Sequence, residues 1–290
     1  MIVAAQMRPM FWSSSRTGDE AHNAENMSKM LIQVIHEIEE SCGEGNVCGV
    51  VTDNASVMKK ACQALQAAKK SILNNGCAAH ATNLIIGKLF DSRFPFPIFK
   101  DVLDKAKKVA KFVRIRTALL ARFRWHQDNM FTSGHAKRAL SLPVATRWYS
   151  NERCIQSVVD NHDVLVMTFR DSEFIKRFEV PASEKKVWEV QEIIENPVFW
   201  SQAIHVLRLT EPISKSLAIL EQDDCSASLV YETFMGMMNH HAYSSGGDLE
   251  LAVLDTINRR WRDFHSRNML AAYLLDPTKS LTNFMVGDKL

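Results

Sequence analysis

The sequence predicts an α/β layer at its amino-terminal end, followed by a mostly helical region. Helix-spaced apolar residues alternate with short apolar runs over about the first 90 residues, which is typical of an α/β layer with some parallel strand pairing. After Pro143 nearly every segment has helical spacing. The pattern changes at residues 94–97 (FPFP), where two prolines interrupt the chain. We therefore divide the chain into residues 1–93 and 94–290.

The first elements each carry a local signal. The apolar start is short and lacks a basic leader, so residues 1–13 favour a strand over a secretory signal. Apolar positions at helical spacing predict a helix over residues 21–40, capped by Asp19 or Asn23. Residues 47–52 (VCGVVT) form a nearly continuous apolar run, which is typical of a strand covered on both faces.

Helical spacing resumes after this strand. Asn54 is expected to cap a helix that extends to Ala68. Asn74-Asn75-Gly76 is a turn signal, so a short strand or a turn is expected before a helix over residues 78–90. A single long helix is expected over residues 98–124. Further breaks are expected at the prolines 181, 197 and 212 and at Gly246-Gly247.

Composition limits the class of protein. The chain has 290 residues, 46% hydrophobic and 23% charged, as in ordinary globular proteins. Six irregularly spaced cysteines favour a reducing compartment, cytoplasm or nucleus, over secretion, and no apolar run is long enough for a bilayer. Residues 1–150 hold 21 Lys/Arg against 12 Asp/Glu, a charge of +9, while residues 151–290 hold 14 against 21, or −7. This asymmetry indicates a polyanion site in the first half, or solvated helix faces.

Asp53 is the first candidate site residue because it directly follows the predicted strand. Functional groups collect at the carboxyl ends of strands in α/β sheets. A carboxylate there can hold Mg²⁺ or Mn²⁺ and help to activate water at a phosphate. The alternative is an ordinary capping or loop aspartate.

Cys77 and His80 form a C-x-x-H pair at the start of a predicted helix. The spacing brings the thiol and the imidazole to one face of the helix. Zinc requires four ligands, and the sequence offers no second pair at ligand spacing. By spacing alone, a buried cysteine beside a capping histidine remains the simpler interpretation.

The segment 100–124 is strongly basic, with nine Lys/Arg against two Asp, a charge of +7. A helix with one buried and one basic face is typical of phosphate contact, and a plain solvated face is the alternative. The candidate nucleic-acid contacts are Lys105, Lys108, Lys111, Arg114 and Arg116. Arg147 and Trp148 are a second candidate pair, because Arg can clamp a phosphate and Trp can stack on an unpaired base; a core Trp beside a structural Arg is the alternative.

Four segments, in order, resemble the hAT-type transposase-like proteins, in particular a domain of their domesticated and degenerate members. The segments are residues 51–61 (VTDNASVMKKA), 76–84 (GCAAHATNL), 146–150 (TRWYS) and 271–277 (AAYLLDP). The resemblance implies a ribonuclease-H-like fold split by a large helical insertion. It also implies a site of two aspartates and one glutamate that holds Mg²⁺ or Mn²⁺ and cuts and joins DNA strands.

The same resemblance assigns roles to individual residues. Asp53 matches the second aspartate, and Cys77 and His80 match a C-x-x-H motif close to the site. Arg147 and Trp148 match an insertion-domain pair whose tryptophan stacks on DNA near the cut. In the family the first aspartate precedes the segment matched by residues 1–6, and the glutamate follows the insertion.

From these departures we expect a core that is incomplete at its N-terminal strand, in residues 1–93. Residues 94–290 are then the helical insertion, leading towards a missing dimerisation region, so that the oligomeric state stays open. Because only one of the three carboxylates implied by the resemblance, Asp53, can be placed in this sequence, we expect no tightly bound metal and no strand transfer. The sequence thus predicts a transposon-derived, catalytically incomplete protein that retains nucleic-acid binding and acts in the nucleus. The alternatives are a nuclease completed by a partner chain and a protein-interaction module without DNA binding.

Overall fold

A computed structural model describes residues 9–14, 21–130, 139–144, 149–179 and 184–280. The strand predicted at the amino terminus falls largely on residues outside these ranges. The elements that follow begin with helix α1 (Ala24–Cys42), which confirms the first predicted helix. Its N-cap is Asn23, whose side chain accepts a hydrogen bond from the Asn26 N–H at 2.9 Å. This contact satisfies one of the N–H groups that a helix leaves unpaired at its start.

Two parallel strands follow α1 and are joined by a helix. Strand β1 (Gly49–Thr52) pairs with β2 (Leu73–Gly76), and helix α2 (Ser56–Ala68) connects them. The register aligns Gly49 with Leu73 and Thr52 with Gly76. A strand, a helix and a parallel strand form the connection expected of α/β proteins.

The small sheet is covered on one face only, contrary to the expectation for residues 47–52. Val51 is 67% exposed, whereas Val50 packs against a core formed by Ile35, Leu65 and Ile72. Successive side chains of a strand point to opposite faces, so the helices that cover Val50 leave Val51 in solvent. In the described residues the sheet has two strands, and their outer face is open.

Helices make up nearly all of the remaining described chain. They are α3 (Ala78–Leu89), α4 (Ile98–Arg114), α5 (Thr117–Met130), α6 (Tyr149–Val159), α7 (His162–Arg170), α8 (Ser172–Ile175) with a 3-10 turn (Lys176–Phe178), α9 (Glu184–Glu195), α10 (Pro197–Leu220), α11 (Ala227–Met238), a 3-10 turn (His241–Tyr243), α12 (Asp248–Phe264) and α13 (Arg267–Leu275). The predicted class, an α/β start followed by a mostly helical chain, is confirmed at this level. No helix in the described ranges has both the length and the apolar character that a membrane span needs.

The single helix predicted over residues 98–124 is wrong, because α4 ends at Arg114 and α5 begins at Thr117. Three β-branched residues, Val113, Ile115 and Thr117, alternate through the break and lower the local helix propensity. The Arg116 side chain donates to the Phe112 carbonyl at 3.0 Å, which satisfies one acceptor at the end of α4.

The break predicted at Pro212 is also wrong, because this residue lies inside α10. A proline removes one helical hydrogen bond, but Leu209, Ile213 and Leu217 are buried around it, and their packing maintains the helix. Pro197, by contrast, is the first residue of α10, where its missing N–H has no intrahelical partner to lose.

The contacts divide the chain into two compact units. The first, here called the α/β unit, comprises the described parts of Met1–Thr82, Lys215–His240 and Leu254–Leu290. Besides the sheet and its helices it contains an aromatic cluster, in which Tyr231 contacts Tyr273 and Phe234 contacts Trp261. The second, the helical unit, comprises the described parts of Asn83–Ser214 and His241–Val253.

Candidate functional site

A polar cleft of about 240 Å³ opens in the α/β unit where the two parallel strands end. Its walls come from the ends of β1 and β2, from α2, and from the end of α12 and the residues after it. The cleft is lined by Thr52, Asp53, Asn54, Lys59, Cys62, Gln63, Gln66, Asn74, Asn75, Gly76, Asp263, Phe264, His265 and Ser266. The carboxyl ends of parallel strands are the usual place for functional groups in α/β sheets, so this cleft is the candidate site.

Asp53 is exposed in the cleft, directly after β1. One of its carboxylate oxygens, Oδ1, accepts a hydrogen bond from the Ala55 N–H at 3.0 Å, which turns the chain into α2. The neighbouring Asn54 does not cap this helix as predicted, since the N-cap residue is Ala55. Instead, Asn54 Nδ2 donates to the Cys77 carbonyl at 2.8 Å. The parallel partner strand brings that carbonyl within reach, so Asn54 links the two strand ends.

Cys77 leaves β2 at the same edge of the sheet at which Asp53 leaves β1. The Cys77 N–H donates to the Thr52 carbonyl at 2.6 Å, which extends the pairing of the strands by one bond. The sulfur of Cys77 in turn accepts from the His80 N–H at 3.4 Å, at the first turn of α3. The thiol therefore caps this helix as a weak acceptor, and His80 contributes its backbone to the contact.

A second thiol, Cys225, lies close enough to Cys77 for the two to interact. Burial, and then the neighbouring Asp224 and Cys77, raise the pKa of the Cys225 thiol to about 11. This thiol is therefore protonated at neutral pH. Since the thiolate is the form that binds metals and attacks electrophiles, Cys225 is not reactive at this pH.

Residues nearly two hundred positions later complete the cleft. Ser266 Oγ donates to Asn75 Oδ1 at 2.7 Å, and Lys59 Nζ donates to the Asp263 carbonyl at 3.3 Å. Sequence reasoning missed these late residues. They lie at the end of an ordinary amphipathic helix, and no local pattern distinguishes them from other solvated positions.

The charged groups of the cleft are two exposed carboxylates, Asp53 and Asp263, and the ammonium of Lys59. The amide oxygens Asn54 Oδ1 and Asn74 Oδ1 are buried and have no hydrogen-bond partner among the described residues. Within the described ranges no group of three or more His, Cys, Asp or Glu side chains could hold a metal ion. Mg²⁺ binds selectively where several oxygens converge.

The basic residues nominated on α4 and after it have different environments. The apolar stripe of α4 is buried as predicted. Arg116 lies over the Phe112 ring at 3.6 Å, Arg114 donates to the Leu140 carbonyl at 3.0 Å, and Lys108 pairs with Glu189 at 2.9 Å. These three cations are engaged by the protein itself.

Lys105 and Lys111 complete the nominated set. Lys111 is exposed and Lys105 is half-buried, and no hydrogen bond or ion pair of either ammonium group is seen among the described residues. They are the two nominated cations that remain available to an external anion. The other nominated pair, Arg147 and Trp148, lies outside the described residues.

Comparison with known families finds a match for one part of the chain. Residues 1–109 match the family described as Domain of unknown function (DUF659). This family is associated with hAT-like transposase-related proteins. The matched segment includes β1, β2, Asp53 and the C-x-x-H pair. No curated protein matches the chain.

Proposed function

We propose that this chain is a transposon-derived protein with a ribonuclease-H-like core, whose catalytic site is incomplete and which retains nucleic-acid binding in the nucleus. The observation that carries the proposal is the common edge of the two parallel strands. Asp53 and Cys77 belong to different sequence motifs, yet they leave adjacent strands side by side, linked by the Cys77 N–H to Thr52 carbonyl bond. Motifs that form one site in a family are expected to converge in this way.

The carboxylates of the cleft support the incomplete site. A two-metal site that cuts DNA needs several carboxylate oxygens around the ions. Among the described residues, the carboxylates that line the cleft are those of Asp53 and Asp263, and Lys59 lines it too. We propose that Asp53 is the remnant of the ancestral site, and that any Mg²⁺ or Mn²⁺ binds weakly.

Asp263 also favours a second candidate function. It adds a carboxylate to the cleft that the family resemblance did not assign, and a partner chain could contribute another. In that case the protein is a metal-dependent nuclease whose site is completed on assembly. Metal-dependent DNA cleavage separates this function from the incomplete site.

The basic face of α4 supports the nucleic-acid binding. Lys111 projects from a helix that is buried on its opposite side by Val102, Ala106 and Val109. Each lysine that neutralises a phosphate releases a counterion, so DNA affinity falls with salt, by a slope of about 0.9 per phosphate contact on a double-logarithmic plot.

The test is the salt dependence of duplex binding by Lys111→Ala. We expect weaker binding of all duplex sequences and a salt slope lower by about one, because one phosphate contact is lost. Lys186→Ala is the matched control, since Lys186 is also an exposed lysine of the helical unit but lies on α9, whose other charged residues are mainly glutamates. A wild-type affinity that is insensitive to salt, or equal effects of the two substitutions, contradicts the proposed role of α4.

A further inference from the structure

Stacked arginines and aromatic rings form a distinct surface in the helical unit. We call it the arginine–aromatic patch and define it by Arg122, Trp125, Phe174, Arg177 and Phe178. The Arg122 guanidinium carbon lies 5.0 Å from the centre of the Phe174 ring and 5.4 Å from that of Trp125. The Arg177 guanidinium carbon also lies 5.6 Å from the centre of the Phe174 ring, and the Phe174 and Phe178 rings meet edge to face at 5.4 Å. Such distances are within the range of cation–π contacts.

One carboxylate organises this patch. Asp171 Oδ2 accepts from Arg122 NH2 at 2.6 Å, and Asp171 Oδ1 accepts from the Phe174 N–H at 3.1 Å. The same side chain therefore orients the guanidinium on α5 and caps the short helix that carries Phe174. Because both groups are held before any ligand arrives, little conformational entropy is lost when one binds.

The patch faces solvent. Trp125 is 53% exposed, Arg177 is exposed, and Phe174 and Phe178 are half-buried. A single exposed tryptophan is unremarkable, and Trp188 on α9 is 62% exposed. The two tryptophans differ in their surroundings. Trp125 has a guanidinium over its ring, whereas the charged residues next along α9 from Trp188 are Glu189 and Glu192.

The chemistry of the patch selects a ligand that is both planar and anionic. Aromatic faces and guanidinium planes stack on unpaired bases, and the N–H edges of arginine bind phosphate oxygens. The neighbours of the patch in the sequence carry exposed charges of both signs, positive on Arg124 and Lys176 and negative on Glu173 and Glu179, so the local charge is close to balanced. Stacking, more than net charge, must then provide the selectivity. A duplex keeps its bases stacked on each other and cannot offer a free face to Trp125.

We propose that the arginine–aromatic patch binds unpaired bases of a single-stranded nucleic acid, with one base stacked on Trp125 and its phosphates contacted by Arg177 and Arg124. The proposal rests on the nucleic-acid binding proposed above. It adds a second site with a different preference, for single strands, on residues that are not among the candidate contacts predicted from the sequence.

The test compares Trp125→Ala, Trp125→Phe and Trp188→Ala in the full chain, with fluorescence anisotropy of labelled oligothymidylate, oligouridylate and a duplex of equal length. We expect Trp125→Ala to weaken single-strand binding about tenfold, because a stacked base contributes on this scale. Trp125→Phe should recover most of the loss, since it keeps an aromatic face. Trp188→Ala should stay within about twofold of the wild type, because that exposed ring takes no part in the stack.

The two oligonucleotide arms distinguish DNA from RNA as the source of the single strand. Equal single-strand affinity of Trp125→Ala and Trp188→Ala overturns the patch, and so does a Trp125→Ala effect of the same size on duplex binding. These outcomes do not affect the proposed binding of duplex DNA by α4, because that proposal is tested separately by the salt dependence of Lys111→Ala. Conversely, a single-strand effect of Trp125→Ala with no effect of Lys111→Ala retains the patch and removes the α4 contact. Circular dichroism of each variant checks that the fold is kept.

Discussion

Glu152 is a half-buried carboxyl in the helical unit that the sequence motifs do not use. It lies on α6, and its carboxylate accepts a short hydrogen bond from Ser214 Oγ of α10. Burial raises the pKa of Glu152, the nearby Glu211 raises it further, and the hydrogen bonds from Ser214 and Thr210 lower it in part. The net pKa is above the ordinary value, so the carboxyl holds its proton more tightly in the folded protein than in the unfolded chain.

This shift makes the helical unit less stable as pH rises. A carboxyl that binds its proton more tightly when folded contributes stability below its unfolded pKa of 4.5, and that contribution is lost as pH rises towards the folded pKa. Glu152→Gln keeps an acceptor for Ser214 and carries no charge at any pH. We therefore expect its melting temperature at pH 7 to exceed that of the wild type by a few degrees, and the difference to shrink towards pH 4.

The measurement is a thermal melt of both proteins across this pH range. Glu192→Gln is the control, since Glu192 is exposed on α9 and its replacement should leave the melting temperature unchanged at each pH. A Glu152→Gln variant that melts at or below the wild-type temperature at pH 7 contradicts the account of a carboxyl whose pKa is raised by folding.

The roles of single residues could be predicted where they depend on strand ends, and not where they depend on distant packing. Asp53 is expected directly after a strand, and the parallel pairing confirms its position. Cys77 is expected at the start of a helix, and only the structure shows that it also follows the second strand, β2. Asn54 is expected to cap α2, yet Ala55 is the N-cap residue and the Asn54 side chain donates to the Cys77 carbonyl at the end of the partner strand. Asp263 and Ser266 carried no local signal, since they reach the cleft through contacts across about two hundred residues.

At the scale of elements, the end of β2 is the tightest point of the α/β unit. A side chain at Gly76 would overlap Asn54 Oδ1 and would lie 3.2 Å from the Phe264 ring. Both neighbours are fixed, Asn54 by the Cys77 carbonyl and Phe264 by burial. This close approach accounts for a glycine where a strand meets the cleft.

Gly76→Ala is therefore expected to destabilise the protein by about 1–3 kcal/mol, because an extra methyl group in a packed site forces its neighbours to move. The measurement is the free energy of unfolding from a urea titration. Gly236→Ala is the matched control: this glycine is exposed in α11 with no atom near its missing methyl, and alanine there should stabilise the helix by about 0.5–1 kcal/mol. Wild-type stability of Gly76→Ala would show that the strand end is not closely packed.

The boundaries of some helices could not be predicted from the sequence either. Helical spacing continued through residues 98–124, so periodicity alone could not detect the break between α4 and α5. At that break the Arg116 side chain folds back onto the Phe112 carbonyl and ring, a contact that periodicity does not reveal. At Pro212 the error was the reverse, since buried neighbours hold a helix together where a local rule ends it.

At the scale of the whole molecule, the two compact units combine distant stretches of the chain. The contacts Ser266–Asn75 and Lys59–Asp263 join the late helices to the first strands of the α/β unit. The basic first half and the acidic second half of the sequence are each represented by a helix, since α4 is rich in lysine and α9 in glutamate. Periodicity and charge could predict these faces, whereas the assembly of the cleft required long-range packing.

The central claim, an ancestral nuclease site that has lost its chemistry, is tested most directly by DNA cleavage. The full chain and Asp53→Ala are incubated with hairpin and duplex DNA in Mg²⁺ or Mn²⁺, and nicked products are counted. We predict no metal-dependent product from either protein, because the oxygens that would hold the ions are too few. Robust cleavage by the wild type that is lost in Asp53→Ala would contradict the claim and identify an active enzyme.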